Sequence, residues 1–521
     1  MKKSPTKVIF LWHMHQPCYR SPDKNYYILP WVRLHGIKDY YGMARTVEKF
    51  DKVKVSFNFS GILLEQLLDY ANNHAQDYFS ILTLKNPAHL KHEEKDFIIE
   101  RFFSINFDRH VRVHPRYLQL YNKKLARGRF SAHDIGDLTA LFNLAWLHPY
   151  TIKEDKEVRA LVAKEKNYSH ADRQRIIKKH YEILSRIIPL YNKLLGARRI
   201  EITVTPHHHP IMPLIYDTDV LKEFPYMKKP LARFSAPADC LWHLARAQEV
   251  FHQAFGERPR GSWPSEGSVS EDVLSAYRQA GFSWIGTDEG ILFKSLMTEQ
   301  VPYDMIRNQR HIIHQPYQFK DVVIFFRDRN LSDIISFTYP GWEDSKFAAH
   351  DLIEHFKRAH AYAKNLYPER IITIIMDGEN AWEYYKNSGT DFLETVYGAL
   401  EKNTQLTTTT PSEFLQHNKP RPLQRLASGS WINNDFGVWV GNKKNNAYWV
   451  LLRNIRAHIE RARCDKESLA QAKDYFYVIE GSDWFWWNTF EDFSGEFKRI
   501  FFLYVEKIYR LLGKNPPASM K

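Results

Sequence analysis

Residues Ile371–Asn380 read IITIIMDGEN. Ile371–Met376 is an unbroken apolar and β-branched run of the kind that forms a strand buried on both faces. It stops abruptly at Asp377, Gly378 and Glu379. A core strand that ends in two acids fits a parallel sheet, where the loops after the C-terminal strand ends carry the chemistry.

The same succession recurs along the chain. KVIFLW (7–12) leads into His13, Met14, His15, Gln16 and Pro17, and KVSFNFSG (54–61) ends in Asn58, Ser60 and Gly61. RIEITVTP (199–206) leads into His207, His208 and His209, and RPRGSW (258–263) into Pro264, Ser265 and Glu266. FSWIGT (282–287) precedes Asp288 and Glu289, and VVIFFR (322–327) precedes Asp328. Helical patterns fill the intervals. His170–Leu195 places Ile176, Ile177, Leu184, Ile187 and Ile188 at helical spacing, opened by the capping pair Ser169 and Asp172. Residues 270–281 and 351–365 read the same way. Strand, polar loop and helix in repetition predict an α/β fold, either a β/α barrel or a doubly wound sheet. The polar ends are spread over many strands, and no Gly-rich phosphate loop follows any of them, so a barrel is expected.

After residue 417 the character changes. Asn418–Pro422 carries two prolines and reads as a linker; beyond it, 445–463, 466–481 and 496–513 are helix patterns with no clear strand between them. The expected organisation is a catalytic barrel over 1–417 and a helical bundle over 418–521. The Trp-rich stretch GSWINNDFGVWVG (429–441) reads as a loop that reaches the active site.

Composition narrows the class of partner. The 521 residues are 44% hydrophobic and 15% aromatic, enough for a large core and for flat faces that stack on sugars or bases. The net charge of +13 comes from 73 basic residues interspersed with 60 acidic ones, without a long Lys/Arg tract. That is a diffuse basic surface, and nucleic-acid binding is not expected. Three scattered cysteines, Cys18, Cys240 and Cys464, make neither a disulfide framework nor a Cys-based zinc site. Val8–Trp12 is too short for a signal-peptide core and nothing approaches a membrane span, so a cytoplasmic location is expected. The oligomeric state is not legible.

A barrel would gather Glu266, Asp288, Glu289, Asp377 and Glu379 at one mouth. Each acid alone could equally cap the helix that follows it. As a set, with Trp263, Trp284 and Trp382 nearby, they suit glycosidic cleavage, which needs one ionised and one protonated carboxyl on opposite sides of the anomeric carbon. The histidines offer a rival reading. His13 and His15 lie on one side of an extended chain, and with His207–His209 and an acid they could hold a divalent metal, as in a sugar deacetylase. No Ser nucleophile elbow and no HExxH helix is present.

These motifs, in this order, resemble glycoside hydrolase family 57, especially its α-amylase and amylopullulanase branch. The likeness rests on HMHQP (13–17), EITVTPHHHPIMPL (201–214), WPSEGSVS (263–270), MDGENAWE (376–383), GSWINNDFGVWVG and EGSDWFWW (480–487). It implies an incomplete seven-stranded β/α barrel followed by a helical bundle, and retaining chemistry on α-1,4 bonds of maltodextrin, glycogen or starch, with α-1,6 bonds left open. No cofactor and no metal is implied. Glu266 would be the nucleophile and Asp377 the acid/base, with carboxyls about 5–6 Å apart. His13, His15, Gln16, Glu201, His209, Trp263, Asp288, Glu379, Trp431, Asp483 and Trp484 would contact the sugar. A 4-α-glucanotransferase or branching enzyme would use the same residues, and a non-catalytic glucan-binding protein would lack one of the two acids. One departure stands out: His207 and His208 occupy positions where the family commonly has aromatic residues.

Overall fold

The apolar runs become short strands enclosed by helices. The computed structural model describes residues 4–229, 233–490 and 494–517. Its strands are β1 (Thr6–Met14), β2 (Val55–Ser60), β3 (Ile200–Thr205), β4 (Gly261–Ser262), β5 (Trp284–Asp288), β6 (Tyr317–Phe319), β7 (Val322–Arg327), β8 (Ile371–Asp377), β9 (Leu406–Thr408) and β10 (Arg421–Pro422). One sheet has the order β3-β2-β1-β8, with β9 paired to the start of β1; the other has the order β10-β6-β7-β5-β4. Among the strands of the described residues, only β6 and β7 pair antiparallel.

The two sheets face a common interior and touch along two seams. At one, Ser262 Oγ donates to the Val204 carbonyl at 2.6 Å. At the other, the Asp328 N–H donates to the Thr373 carbonyl at 2.8 Å. The hydrogen bonds thus divide between two sheets rather than running round one continuous seven-stranded ring.

Side-chain alternation explains why the strands read as wholly apolar. Ile9, Leu11, Phe325, Ile371 and Ile375 fill the interior together with Trp263 and Trp284. Their neighbours Val8, Phe10, Trp12, Ile372, Ile374 and Met376 face outward against helices. Both faces are therefore dry, and each buried aliphatic side chain stabilises the fold by about 1.5–3 kcal/mol. By the same period of two, His13 and Asp377 continue the inward series of Leu11 and Ile375. Core and site share one face of each strand.

The expected helices are present at Glu271–Gln279, Ser345–Ala363 and His170–Gly196, the last with the Ser169–Asp172 capping box formed. Residues read as a linker hold an edge strand instead. Arg421 N donates to Pro316 O at 2.9 Å and Leu423 N to Gln318 O at 2.8 Å, leaving Pro422 where its missing N–H costs nothing. The helices Lys443–Glu460, Lys466–Ile479 and Glu496–Leu511 pack on one another, joined by a short helix, Ser482–Thr489, that the sequence pattern did not reveal. Among the described residues no helix is long and apolar enough to cross a membrane.

Candidate active site

Parallel pairing of β1 with β8 puts His13 in register with Asp377. Gly378 N donates to the His13 carbonyl at 2.6 Å, extending the pairing one residue into the loop. Glu379 then turns inward and is 3% exposed. Its Oε1 accepts from the His15 N–H at 2.8 Å and from the Tyr40 hydroxyl at 2.7 Å. Burial, then the Asp377 charge, hold its carboxyl well above the usual range. Glu379 is thus a tether between the two strand ends.

Glu266 follows β4 in a left-handed turn, at φ 57° and ψ 24°, and Gly267 continues at φ +60°. A non-glycine residue pays for that conformation with local strain, which persists where a side chain must be aimed. Glu266 is held from both ends by Trp431: the indole Nε1–H donates to Oε2 at 2.6 Å, and the Trp431 N–H donates to the Glu266 carbonyl at 2.9 Å. Burial, with the Asp377 charge second, pushes the Glu266 carboxyl up to about 8 against the lowering effect of the indole. Burial also raises Asp377, to about 6, opposed by Arg327 and then His15. Between these values the pair holds one proton, which is the state a two-carboxyl mechanism requires.

Three imidazoles line the adjoining wall. His15 and His209 stack at 3.9 Å between centroids and 13° between planes, and His13 stacks on His209 at 5.2 Å. Their Nδ1 atoms meet Asn58 Oδ1 (His13, 2.7 Å), Ser60 Oγ (His15, 2.7 Å) and Ser482 Oγ (His209, 2.8 Å). The Nε2 atoms of His13 and His209 lie 3.2 Å apart, so one of them donates. His15 Nε2 faces Asp483 Oδ2 at 3.0 Å. Burial lowers His13 to about 3 and His209 well below the ordinary imidazole value, so both are neutral. The ligand-type atoms of His15, His209 and Asp483 lie within 4.8 Å of one another. Because the two rings are nearly parallel, however, their lone pairs run side by side rather than converging on one point. The arrangement suits a row of hydrogen bonds to hydroxyls better than a tetrahedral ion.

The C-terminal helices complete this wall. Pro210 and Gly481 form a β-bridge, and the Ser482 N–H donates to the His209 carbonyl at 3.0 Å. His209 itself takes the left-handed conformation at φ 56°.

The other expected sugar contacts have these surroundings. Glu201 sits near the start of β3, toward the opposite end of the interior from His209. There it accepts from Ser412 Oγ at 2.5 Å, Ser412 N at 2.9 Å and Trp284 Nε1 at 3.1 Å, pegging the helix Pro411–His417 that closes that end. Trp484 is buried; its Nε1–H donates to the Val478 carbonyl at 2.7 Å and its ring faces Phe501. Asp288 is fully buried, caps the helix Glu289–Leu296 and binds Arg327 and Arg329. It therefore acts on the site through Arg327, whose guanidinium lies 5.1 Å from the Trp431 ring centroid. Gln16 is buried and accepts from the Tyr19 hydroxyl at 2.8 Å. Trp263 is wholly buried beneath Trp431, edge to face at 5.3 Å, forming a floor rather than an open stacking face. His207 and His208 turn away from the acids and pack with Trp242.

Tyr40, Arg327, Asn58, Ser60 and Ser482 join the site without having been singled out for it. Arg327 closes an apolar run and Asn58 and Ser60 alternate within one, which is a faint signal. Tyr40 lies in a π-helical segment, Gly36–Tyr40, with no local signal.

The model of glycosyl hydrolase family 57 matches residues 9–427. The chain belongs to glycosyl hydrolase family 57. Solved structures with the family 57 fold align over almost its whole length. A branching enzyme from Thermococcus kodakaraensis is 15% identical, covers 97% of this chain and 90% of its own, and has a TM-score of 0.63. An α-amylase from Thermotoga maritima is 13% identical over 98% and 93%, with a TM-score of 0.62. A 4-α-glucanotransferase from Thermococcus litoralis is 14% identical over 97% and 60%, with a TM-score of 0.53. At such identities the likeness is one of fold. No curated protein sequence matches this family 57 chain significantly.

Proposed function

We propose that this family 57 member is a retaining α-glucan-active glycosidase of the amylase or amylopullulanase type, cleaving α-1,4 glucosidic bonds of maltodextrin, glycogen or starch, with α-1,6 bonds a second candidate. The observation that carries the reading is the pair Glu266 and Asp377: two half-buried carboxyls at different strand ends, both raised by loss of water, with the Asp377 charge adding to the rise of Glu266. Glu266 attacks the anomeric carbon while Asp377 protonates the departing glycosidic oxygen. Water then loses its proton to Asp377 and attacks the same carbon, releasing Glu266.

Without substrate, Glu266 is the more basic of the two, the reverse of these roles. Positive charge developing on the anomeric carbon beside Glu266 favours its ionised form, as does the Trp431 indole Nε1–H, and the proton then belongs on Asp377. His13, His15, His209 and Asp483 present hydrogen-bonding atoms to the attacked glucose.

A second reading, transfer to an acceptor glucan as in a 4-α-glucanotransferase or branching enzyme, uses the same carboxyls. The indole bonded to Glu266 favours keeping it, since cover over the nucleophile limits attack by water. Maltoheptaose separates the two: new reducing ends mean hydrolysis, and redistribution of chain length at constant reducing power means transfer. Trapping with a 5-fluoroglycosyl fluoride tests both, and a label on any peptide lacking Glu266 overturns the mechanism.

For the architecture, we read β1–β5, β7 and β8 as the incomplete seven-stranded barrel. The division into a catalytic barrel (1–417) and a helical bundle (418–521) is part of the same proposal. Three free cysteines support a reducing, cytoplasmic setting.

A further inference from the structure

The loops that follow β7 and β8 carry aromatic side chains whose exposure the core does not explain. Phe337 is 81% exposed, Phe347 64% and Tyr384 57%. Phe337 lies in a π-helical turn, Ile334–Thr338, and Tyr384 ends the short helix Asn380–Tyr384 that starts just after Glu379. In each segment a neighbour anchors the backbone inward. Ile335 and Trp382 are 0% and 1% exposed, two residues from Phe337 and Tyr384 respectively, so the outer rings are held on the opposite side.

The segments are also fastened to each other. The Tyr385 hydroxyl donates to the Ile335 carbonyl at 2.7 Å, and Arg109 spans both loops by donating to the carbonyls of Tyr384 (2.9 Å) and Pro340 (3.3 Å). Beside them Trp342 stacks on Phe347 at 5.5 Å and 29°. Large rings fixed in water by a rigid frame, in adjoining loops, mark a contact surface rather than scattered exposure. Both loops leave strands at the end that carries Asp377, and Tyr384 is seven residues beyond Asp377, at most about 25 Å of extended chain away. The surface therefore lies on the same end of the strands as Asp377.

We infer that Phe337 and Tyr384, extended by the Trp342–Phe347 pair, form a platform on which outer glucose units of a long α-glucan stack while another part of that chain is held at Glu266 and Asp377. A pyranose offers an apolar C–H face of ring size and hydroxyls at its edge, which matches exposed rings that are stiff and uncharged. The inference rests on the glycosidase reading above and adds to it that the preferred substrate is a polymer.

The test is native electrophoresis in gels with and without glycogen, using the full chain and the double variant Phe337→Ala/Tyr384→Ala, with thermal melts confirming the fold. Glycogen should retard the parent, and the double variant should bind about tenfold more weakly. Its ratio of kcat/KM on amylose to that on a maltotrioside should fall by a similar factor. The ring-preserving variant Phe337→Tyr/Tyr384→Phe should restore both. Equal retardation of parent and Ala variant, with an unchanged ratio, overturns the platform while leaving the glycosidase reading intact. A parent that neither binds glycogen nor cleaves any glucan overturns both.

Discussion

The indole Nε1–H of Trp431 donates to Oε2 of Glu266 across 2.6 Å, joining residues 165 positions apart. This contact lowers the Glu266 carboxyl while burial and Asp377 raise it. Replacing Trp431 by Phe keeps the bulk and removes the donor. The alkaline limb of kcat/KM should move to higher pH, and kcat should fall roughly 10- to 100-fold, as for loss of one charge-directed hydrogen bond. A pH profile of the variant that superimposes on the parent's would show that the indole does not tune the nucleophile.

The parent's pH dependence follows from the pair. Below about 6 both carboxyls are protonated and the nucleophile is lost; above about 8 both are ionised and the acid is lost. Activity on an α-glucan should therefore be bell-shaped with limbs near these values. The sign for stability is the opposite of the usual acid. Folded-state values raised above about 4 favour the protonated fold, so this contribution is present at low pH and lost as pH rises through about 6 and about 8. Glu266→Gln should raise Tm at pH 8 by ~1–3 °C, and a variant that melts lower there would contradict the assigned environment.

Removing either carboxyl should reduce kcat by at least about 1,000-fold with folding intact. Azide distinguishes the roles. With Glu266→Ala it should enter the vacated space and give the β-glucosyl azide, whereas with Asp377→Ala it should give the α product. Exchanged products would exchange the two assignments.

Glu201 offers a contrast, since its partners are Ser412 and Trp284 rather than the acids. Glu201→Ala removes the acceptor of the Ser412 N–H and hydroxyl, while Trp284 keeps Ser412 Oγ, and should cost about 1–3 kcal/mol of stability. Its KM for maltoheptaose should stay within about twofold of the parent's. A large rise in KM with unchanged Tm would return Glu201 to the sugar.

Much of this site could be read before the fold was known, because strand ends concentrate chemistry. Apolar runs of both-face-buried strands stop where polar residues begin, so His13, Glu266 and Asp377 are visible as interruptions. What stayed hidden depends on direction. Glu201 and His209 belong to one motif, yet they lie at opposite ends of β3, and proximity in sequence gave no hint of that. Trp484 shares a Trp-rich run with Asp483, but helical rotation sends one into the core and the other to His15. Tyr40 reaches Glu379 from 339 residues away through an insertion of helices that no local pattern tied to the site.

The bridge between Pro210 and Gly481 bears on how such a protein can be divided. A gene cut after codon 417 would encode a first product lacking Trp431, Ser482 and Asp483, and a second lacking every strand they lean on except the β10 edge. On the proposed function, neither product would cleave a glucan alone. Co-expressed, the halves would have to dock before the first turnover, and activity should then rise with the square of their concentration.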